Sequence, residues 1–172
     1  YKPVTAKRGY FITGKFEQFQ RTVPYSAFIK AFKELVKQLY MESEIALNRW
    51  RDRLLATLGI NAQVIIEVIP EVELIVGKQS PVPDLPPTQA QNRFNLVFQN
   101  FIKIFAKFEH PLVIFLDDLQ WADSASLKLM QLLATSSDSH YLLFIGTYRD
   151  NEVNAAHPLS RLLAKIQQTG TF

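Results

Sequence analysis

Asp117 and Asp118 stand side by side at the end of an apolar run, Leu112 to Leu116, inside the stretch Pro111 to Asp123, PLVIFLDDLQWAD. Adjacent carboxylates at the mouth of a strand are a natural holder for Mg²⁺ and a phosphorylated ligand. Phosphoryl transfer asks a protein for charge neutralisation and positioning more than for covalent chemistry. A structural alternative stands beside this one. A strand that ends in Asp-Asp can cap the next turn and pair with Lys or Arg, and paired carboxylates are common in that role.

The elements that must position these acids follow from the pattern of apolar residues. Val113, Ile114 and Phe115 are strand-favouring, and the run is too short for a typical helix. It reads as a buried parallel strand near 111–117, covered on both faces. His140 to Tyr148 (HYLLFIGTY) reads as another strand, with Arg149, Asp150, Asn151 and Glu152 just past its end. Gly9 to Phe16 (GYFITGKF) reads as a third. That segment is also a near miss to the phosphate loop G-x-x-x-x-G-K-[ST]: Gly9, Gly14 and Lys15 fit, but Phe16 has no hydroxyl for Mg²⁺. Its bulky, β-forming interior favours the strand.

Helices fill the space between. Phe28, Phe32, Leu35, Val36 and Leu39 make an apolar stripe over 24–41, with Lys30, Lys33 and Lys37 on the solvated face. Ser43 to Leu58 is a second helix, stopped by Gly59. Asn61 to Ile69 is a short helix or a strand, so the helical part runs over about residues 24–76. Residues 77–87 hold four of the nine prolines and form a connector. Thr88 with Gln91 predicts a capping box for a long helix striped by Phe94, Val97, Phe98, Phe101, Ile102 and Phe105. Asp123 or Ser124 caps the next helix, and Pro158 to Gln168 is the last. Strands alternating with helices indicate an α/β fold with a parallel sheet.

Composition narrows the function classes. At 172 residues the chain can hold one domain with a real core. It has no cysteine, so disulfides and thiolate metal sites are excluded and a reducing, cytoplasmic setting is expected. The three histidines are scattered and offer no metal-ligand pair. No apolar run approaches the roughly 20 residues of a membrane span. The net charge of +3 is mild. The basic and aromatic mix from Lys7 to Arg21 makes no one-sided stripe, so nucleic acid is not an expected partner.

LVIFLDDLQWAD resembles the Walker B segment of a P-loop ATPase, and more closely that of the signal-transducing STAND branch of the AAA-like ATPases. LLFIGTYRDNEV, Leu142 to Val153, is similar to the sensor strand of that branch. The whole chain resembles the ATPase segment of large multidomain bacterial signalling kinases, where it lies between a Ser/Thr-kinase-like domain and downstream sensory and histidine-kinase domains. The resemblance implies a partial P-loop fold, three-layer α/β/α, with ATP and Mg²⁺ as ligands of the parent protein. Asp117 matches the acid that holds Mg²⁺ through water, and Asp118 the acid that polarises the attacking water. Arg149 matches the arginine that senses the terminal phosphate, with Thr147 a second candidate. The chain opens on Tyr, and the resemblance implies that the family's phosphate loop lies before Tyr1. One N-terminally truncated domain over 1–172 is therefore expected, inactive by itself and binding no nucleotide. Its partners are other domains of the same polypeptide. Self-association through an exposed sheet edge is a further expectation. The alternative is a non-hydrolysing interaction or scaffold module in which the acids are structural.

Overall fold

A computed structural model describes residues 9–20, 23–136 and 138–169. Strands form where the β-branched and aromatic residues run together: β1 at Tyr10–Lys15, β2 at Leu112–Asp117 and β3 at Leu142–Gly146. They make one parallel sheet in the order β1-β2-β3. The fold is α/β, as expected, with β3 shorter than the apolar run around it. Gly9 to Phe16 is strand and flanking backbone, not a phosphate cradle. Lys7 and Arg21, which frame the basic and aromatic stretch, lie outside the described residues.

The chain falls into two compact units. One holds the sheet and comprises Tyr1–Ala31 with Ala106–Phe172; the other is helical and comprises Phe32–Phe105. The boundary falls inside α1, Ser26–Tyr40.

In the sheet unit, side chains alternate between faces. The register sets Ile12 beside Ile114, Gly14 beside Leu116, and Leu116 beside Gly146, so these residues share the inner face. Ile12, Leu112, Ile114 and Leu116 are buried there. Phe28, near the start of α1, meets Phe144 edge-on at 6.3 Å. The two glycines let other segments come close. A Cβ on Gly14 would stand 2.5 Å from the Ala27 carbonyl oxygen, and one on Gly146 would strike the Leu119 side chain. Gly14→Ala is therefore expected to destabilise the chain by about 1–3 kcal/mol, because backbone cannot yield as a flexible side chain can. A denaturation midpoint equal to wild type would mean that α1 does not pack there.

The second face bears out in part the expectation that β2 is covered on both sides, since Val113 is buried there. Phe11 and Phe115 stack on it, with centroids 6.4 Å apart. Phe115 is only half-buried, and Leu143 and Ile145 of β3 remain 54% and 40% exposed. An apolar run reports that a strand is apolar; it cannot report how much lies over each face. After β2 come α6, Ser124–Ala134, and after β3 comes α7, Pro158–Gln168. Met130, Leu133, Leu163 and Ile166 of these helices line a cavity of about 410 Å³ with Leu142, Phe144 and Gly146. Asp123 caps α6, accepting from the Ser126 N–H at 2.8 Å, and also accepts from the Tyr25 N–H at 3.3 Å.

The helical unit contains the rest of α1 with α2 at Glu44–Leu58, α3 at Ala62–Ile66, α4 at Val72–Val76 and α5 at Pro87–Phe105. Ser43 caps α2, and Gly59 ends it in a left-handed turn at φ 51°. Asn61 to Ile69 resolves in favour of helix, without a side-chain cap from Asn61. The Thr88–Gln91 capping box is corrected: α5 begins one residue earlier, at Pro87, which puts Thr88 inside the first turn. Proline at the first helical position is pre-set for the helix and lacks an N–H that would go unpaired. Lys33 pairs with Glu71 at 2.7 Å. Burial pushes the Glu71 carboxyl up, but the bond from Lys33 and its charge outweigh that and hold it below its ordinary value. The centre of this unit is aromatic. Phe32, Phe98, Phe101 and Phe105 are fully buried, and Trp50 stacks on Phe105 at 5.3 Å.

Candidate functional site

The parallel register delivers the last residues of all three strands to one end of the sheet. In open parallel sheets that carboxyl end is where ligands bind. Lys15 stands opposite Asp117. Thr147, one residue past β3, donates its backbone N–H to the Leu116 carbonyl at 3.0 Å and accepts from Leu119 N–H at 2.9 Å. The chain turns sharply after Asp117 because Asp118 adopts a left-handed conformation, φ 57° and ψ 46°. Asp is among the few non-glycine residues that enter this region readily. The turn brings the Asp118 side chain back over the strand end, where the residue is 8% exposed.

All four residues expected from the sequence meet here. The Thr147 hydroxyl lies 2.5 Å from Asp117 Oδ1. The Asp118 N–H donates to Asp117 Oδ1 at 3.1 Å and to Thr147 Oγ1 at 3.3 Å. Arg149 Nε lies 3.7 Å from Asp118 Oδ1. Beside them opens a cleft of about 630 Å³, lined by Thr13, Lys15, Glu17, Lys30 and Asp117 over a floor of Phe11 and Phe115. Lys30 pairs with Glu17 across its rim at 2.8 Å.

Asp117 suits a hard divalent cation. Its carboxylate is 38% exposed and a hydroxyl oxygen lies against it, so oxygen donors and room for water are both present. Among the described residues no backbone cradle for a polyphosphate accompanies it, since Gly14 and Lys15 belong to a strand.

The AAA ATPase domain family matches residues 2–145. The chain belongs to that family. It is 49% identical over 127 residues, 74% of its length, to "Hybrid signal transduction histidine kinase G" of Dictyostelium discoideum. It is 24% identical over 140 residues, 72% of its length, to "Histidine protein kinase 1" of Candida albicans. The matched parts are only 4% and 6% of those two relatives, so the chain corresponds to a small segment of each. Both names describe histidine kinases, which supports an AAA-like segment of a signalling kinase. No solved structure matches the chain. No described helix is long and apolar enough to cross a membrane.

Within this family member, three side chains join the site that sequence reasoning did not assign to it. Lys15 Nζ lies 3.3 Å from Asp117 Oδ2 and 3.0 Å from Asp118 Oδ2, bridging both acids. Gln120, 2% exposed, donates to Asp118 Oδ1 at 2.9 Å and accepts from the Arg149 N–H at 3.2 Å. Glu152, which remains exposed, pairs with Arg149 at 3.1 Å. The signal for Lys15 was its place at the end of a strand; what was lacking was the register that pairs it with Asp117.

These contacts set the proton affinities. The Gln120 bond, followed by the Lys15 ammonium, holds Asp118 below the ordinary carboxylate value, against the effect of burial. Asp118 and then Asp117 raise the Lys15 ammonium above the ordinary lysine value. A lowered Asp118 contributes stability above its unfolded pKa, about 3.9, and loses it as pH falls through the lower folded value. A raised Lys15 contributes fully below its unfolded pKa, about 10.4, and loses its contribution as pH rises through the higher folded value. The stability difference between wild type and Lys15→Met should thus be level through neutral pH and shrink in acid. Denaturation midpoints against pH would show this; a difference that persists in strong acid would mean that Lys15 acts through packing instead.

Proposed function

We propose that this chain is the acid-and-sensor part of an ATP-driven switch of the STAND type, within a cytoplasmic multidomain signalling kinase of the bacterial kind. The observation that carries the reading is the convergence of Asp117, Asp118, Thr147 and Arg149, from two neighbouring strand ends, on one rim. Asp117 would hold Mg²⁺ through water, and Asp118 would orient the attacking water. Arg149, with Thr147 behind it, would meet the terminal phosphate. Bound Mg²⁺ supplies neutralisation of the phosphate charge. Asp118 is one methylene shorter than glutamate, which favours slow turnover over fast. The switch would act on neighbouring domains of the same polypeptide. The apolar edge of β3 is a candidate surface for pairing with another strand or a second copy.

Because the described residues offer no phosphate cradle, the chain alone should bind polyphosphate only weakly, through Arg149 and below what calorimetry detects. Calorimetric titration with Mg·ATP tests this. The 172-residue chain is expected to be silent, and a version extended upstream to bind, with the Mg²⁺ dependence lost in Asp117→Asn. Binding by the chain alone that disappears in Lys15→Ala would mean that Gly9 to Phe16 is a working phosphate loop after all. A second reading, a non-hydrolysing scaffold, is favoured by one observation: Lys15 and Arg149 already neutralise the acids as structural ion pairs would. Absence of nucleotide binding in the extended protein would select it.

A further inference from the structure

The loops that leave β2 and β3 are tied together around one guanidinium. Arg149 Cζ lies 5.1 Å from the centre of the Trp121 ring. Arg149 Nη1 donates to Glu152 Oε1 at 3.1 Å, and Trp121 Nε1 donates to Glu152 Oε2 at 3.1 Å. Glu152 therefore gives one oxygen to the arginine and the other to the indole that lies against it. A short helical turn, Asp150–Glu152, makes this possible by folding Glu152 back over Arg149. The Arg149 backbone is fixed as well, through its N–H to Gln120. Its Nε faces Asp118, and Nη2 has no partner among the described residues.

We propose that Trp121 and Glu152 are positioning residues for Arg149: they hold the guanidinium by one face and one edge and leave Nη2 for a phosphate oxyanion. The inference rests on the reading of Arg149 as the phosphate-contacting residue. A free arginine must give up rotamer freedom when it meets an anion, and one already held has less to lose. Trp121 is suited to the task because indole has the strongest attraction for a cation over its face. Its N–H then fixes the carboxylate that closes the clamp.

The test uses inorganic tripolyphosphate titrated into the chain and followed by NMR, which reads weak contacts that calorimetry misses. Arg149→Ala sets the floor. Trp121→Leu and Glu152→Asp should each weaken binding about two- to fivefold, the range of an exposed cation–π contact. Glu152→Asp keeps the charge, so its effect reports geometry and not repulsion of the anion. Trp121→Phe keeps a ring face and should recover most of the loss. The Arg149 Nε–H resonance should move toward that of a mobile arginine in the Leu and Asp variants while the melting temperature holds, which loss of packing would not produce. If Arg149→Ala weakens binding but Trp121→Leu and Glu152→Asp match wild type, Arg149 binds without being positioned and this proposal alone falls. If Arg149→Ala changes nothing, or wild type does not bind, the phosphate reading of Arg149 falls and the positioning role falls with it.

Discussion

Phe101→Ala is expected to remove about 3–5 kcal/mol of stability, the range for truncating a fully buried phenylalanine. Phe101 is wholly buried at the centre of the helical unit. Its ring lies 5.3 Å from Phe32, 5.2 Å from Phe105 in an edge-on contact, and 6.1 Å from Phe98. The loss has two parts. One is the transfer of the ring out of an apolar setting; the other is the cavity left among neighbours that relax only in part. Edge and offset contacts between rings add about 0.5–1.5 kcal/mol per pair beyond burial. Phe94, half-buried one turn before Phe98, should cost much less on truncation. Urea denaturation of both variants would measure the contrast. Equal and small losses, under about 1 kcal/mol, would mean that the phenylalanine stripe does not form a packed core.

The second large effect is expected at Asp118. On the ATPase reading, Asp118→Asn in the upstream-extended protein should lower hydrolysis by about 10²–10⁴-fold, the usual contribution of a positioned general base. Nucleotide binding should persist. Asparagine is the appropriate replacement because the position is left-handed, at φ 57°, a region that Asn and Asp both tolerate. It also preserves an acceptor for Gln120, which Asp118 holds at 2.9 Å. Alanine would add backbone strain and strip Gln120 and Lys15 of a partner, so a lost rate there could not be assigned to chemistry. Phosphate release by Asp118→Asn is the measurement. A rate equal to wild type, with binding intact, would leave Asp118 a structural counter-ion of Lys15 and Arg149.

The two predictions separate what each unit does. The phenylalanine cluster is a matter of packing and makes no demand on charge. At the strand ends, by contrast, three acids and two bases lie within ion-pair reach of one another: Asp117, Asp118 and Glu152 with Lys15 and Arg149. Such an arrangement is held in place whether or not a ligand arrives. The rim is therefore ordered by its own charges, and a divalent cation must compete with the Lys15 ammonium for Asp117.

Much of this was legible in the chain itself because it depends on near neighbours. The stripe from Phe28 to Leu39 and that from Phe94 to Phe105 specify helices through the 3.6-residue period, and both helices form. The Asp123 cap needs only the N–H three residues on. The apolar runs that end at Asp117 and before Arg149 specify strands with polar ends. What the sequence could not determine is which residues face one another across the sheet. Lys15 meets Asp117 across 102 residues of chain, and Trp121 meets Glu152 across 31. A period of two says that a side chain is on one face or the other, not which row it shares, because register is set by the packing of the whole sheet. The same limit explains Gly14, whose missing side chain matters only because Ala27 folds against it. Chemistry-bearing residue types were determined by the sequence; the partners that hold them, Lys15, Gln120 and Glu152, were decided by tertiary structure, since ion pairs and side-chain hydrogen bonds act through space and not along the chain.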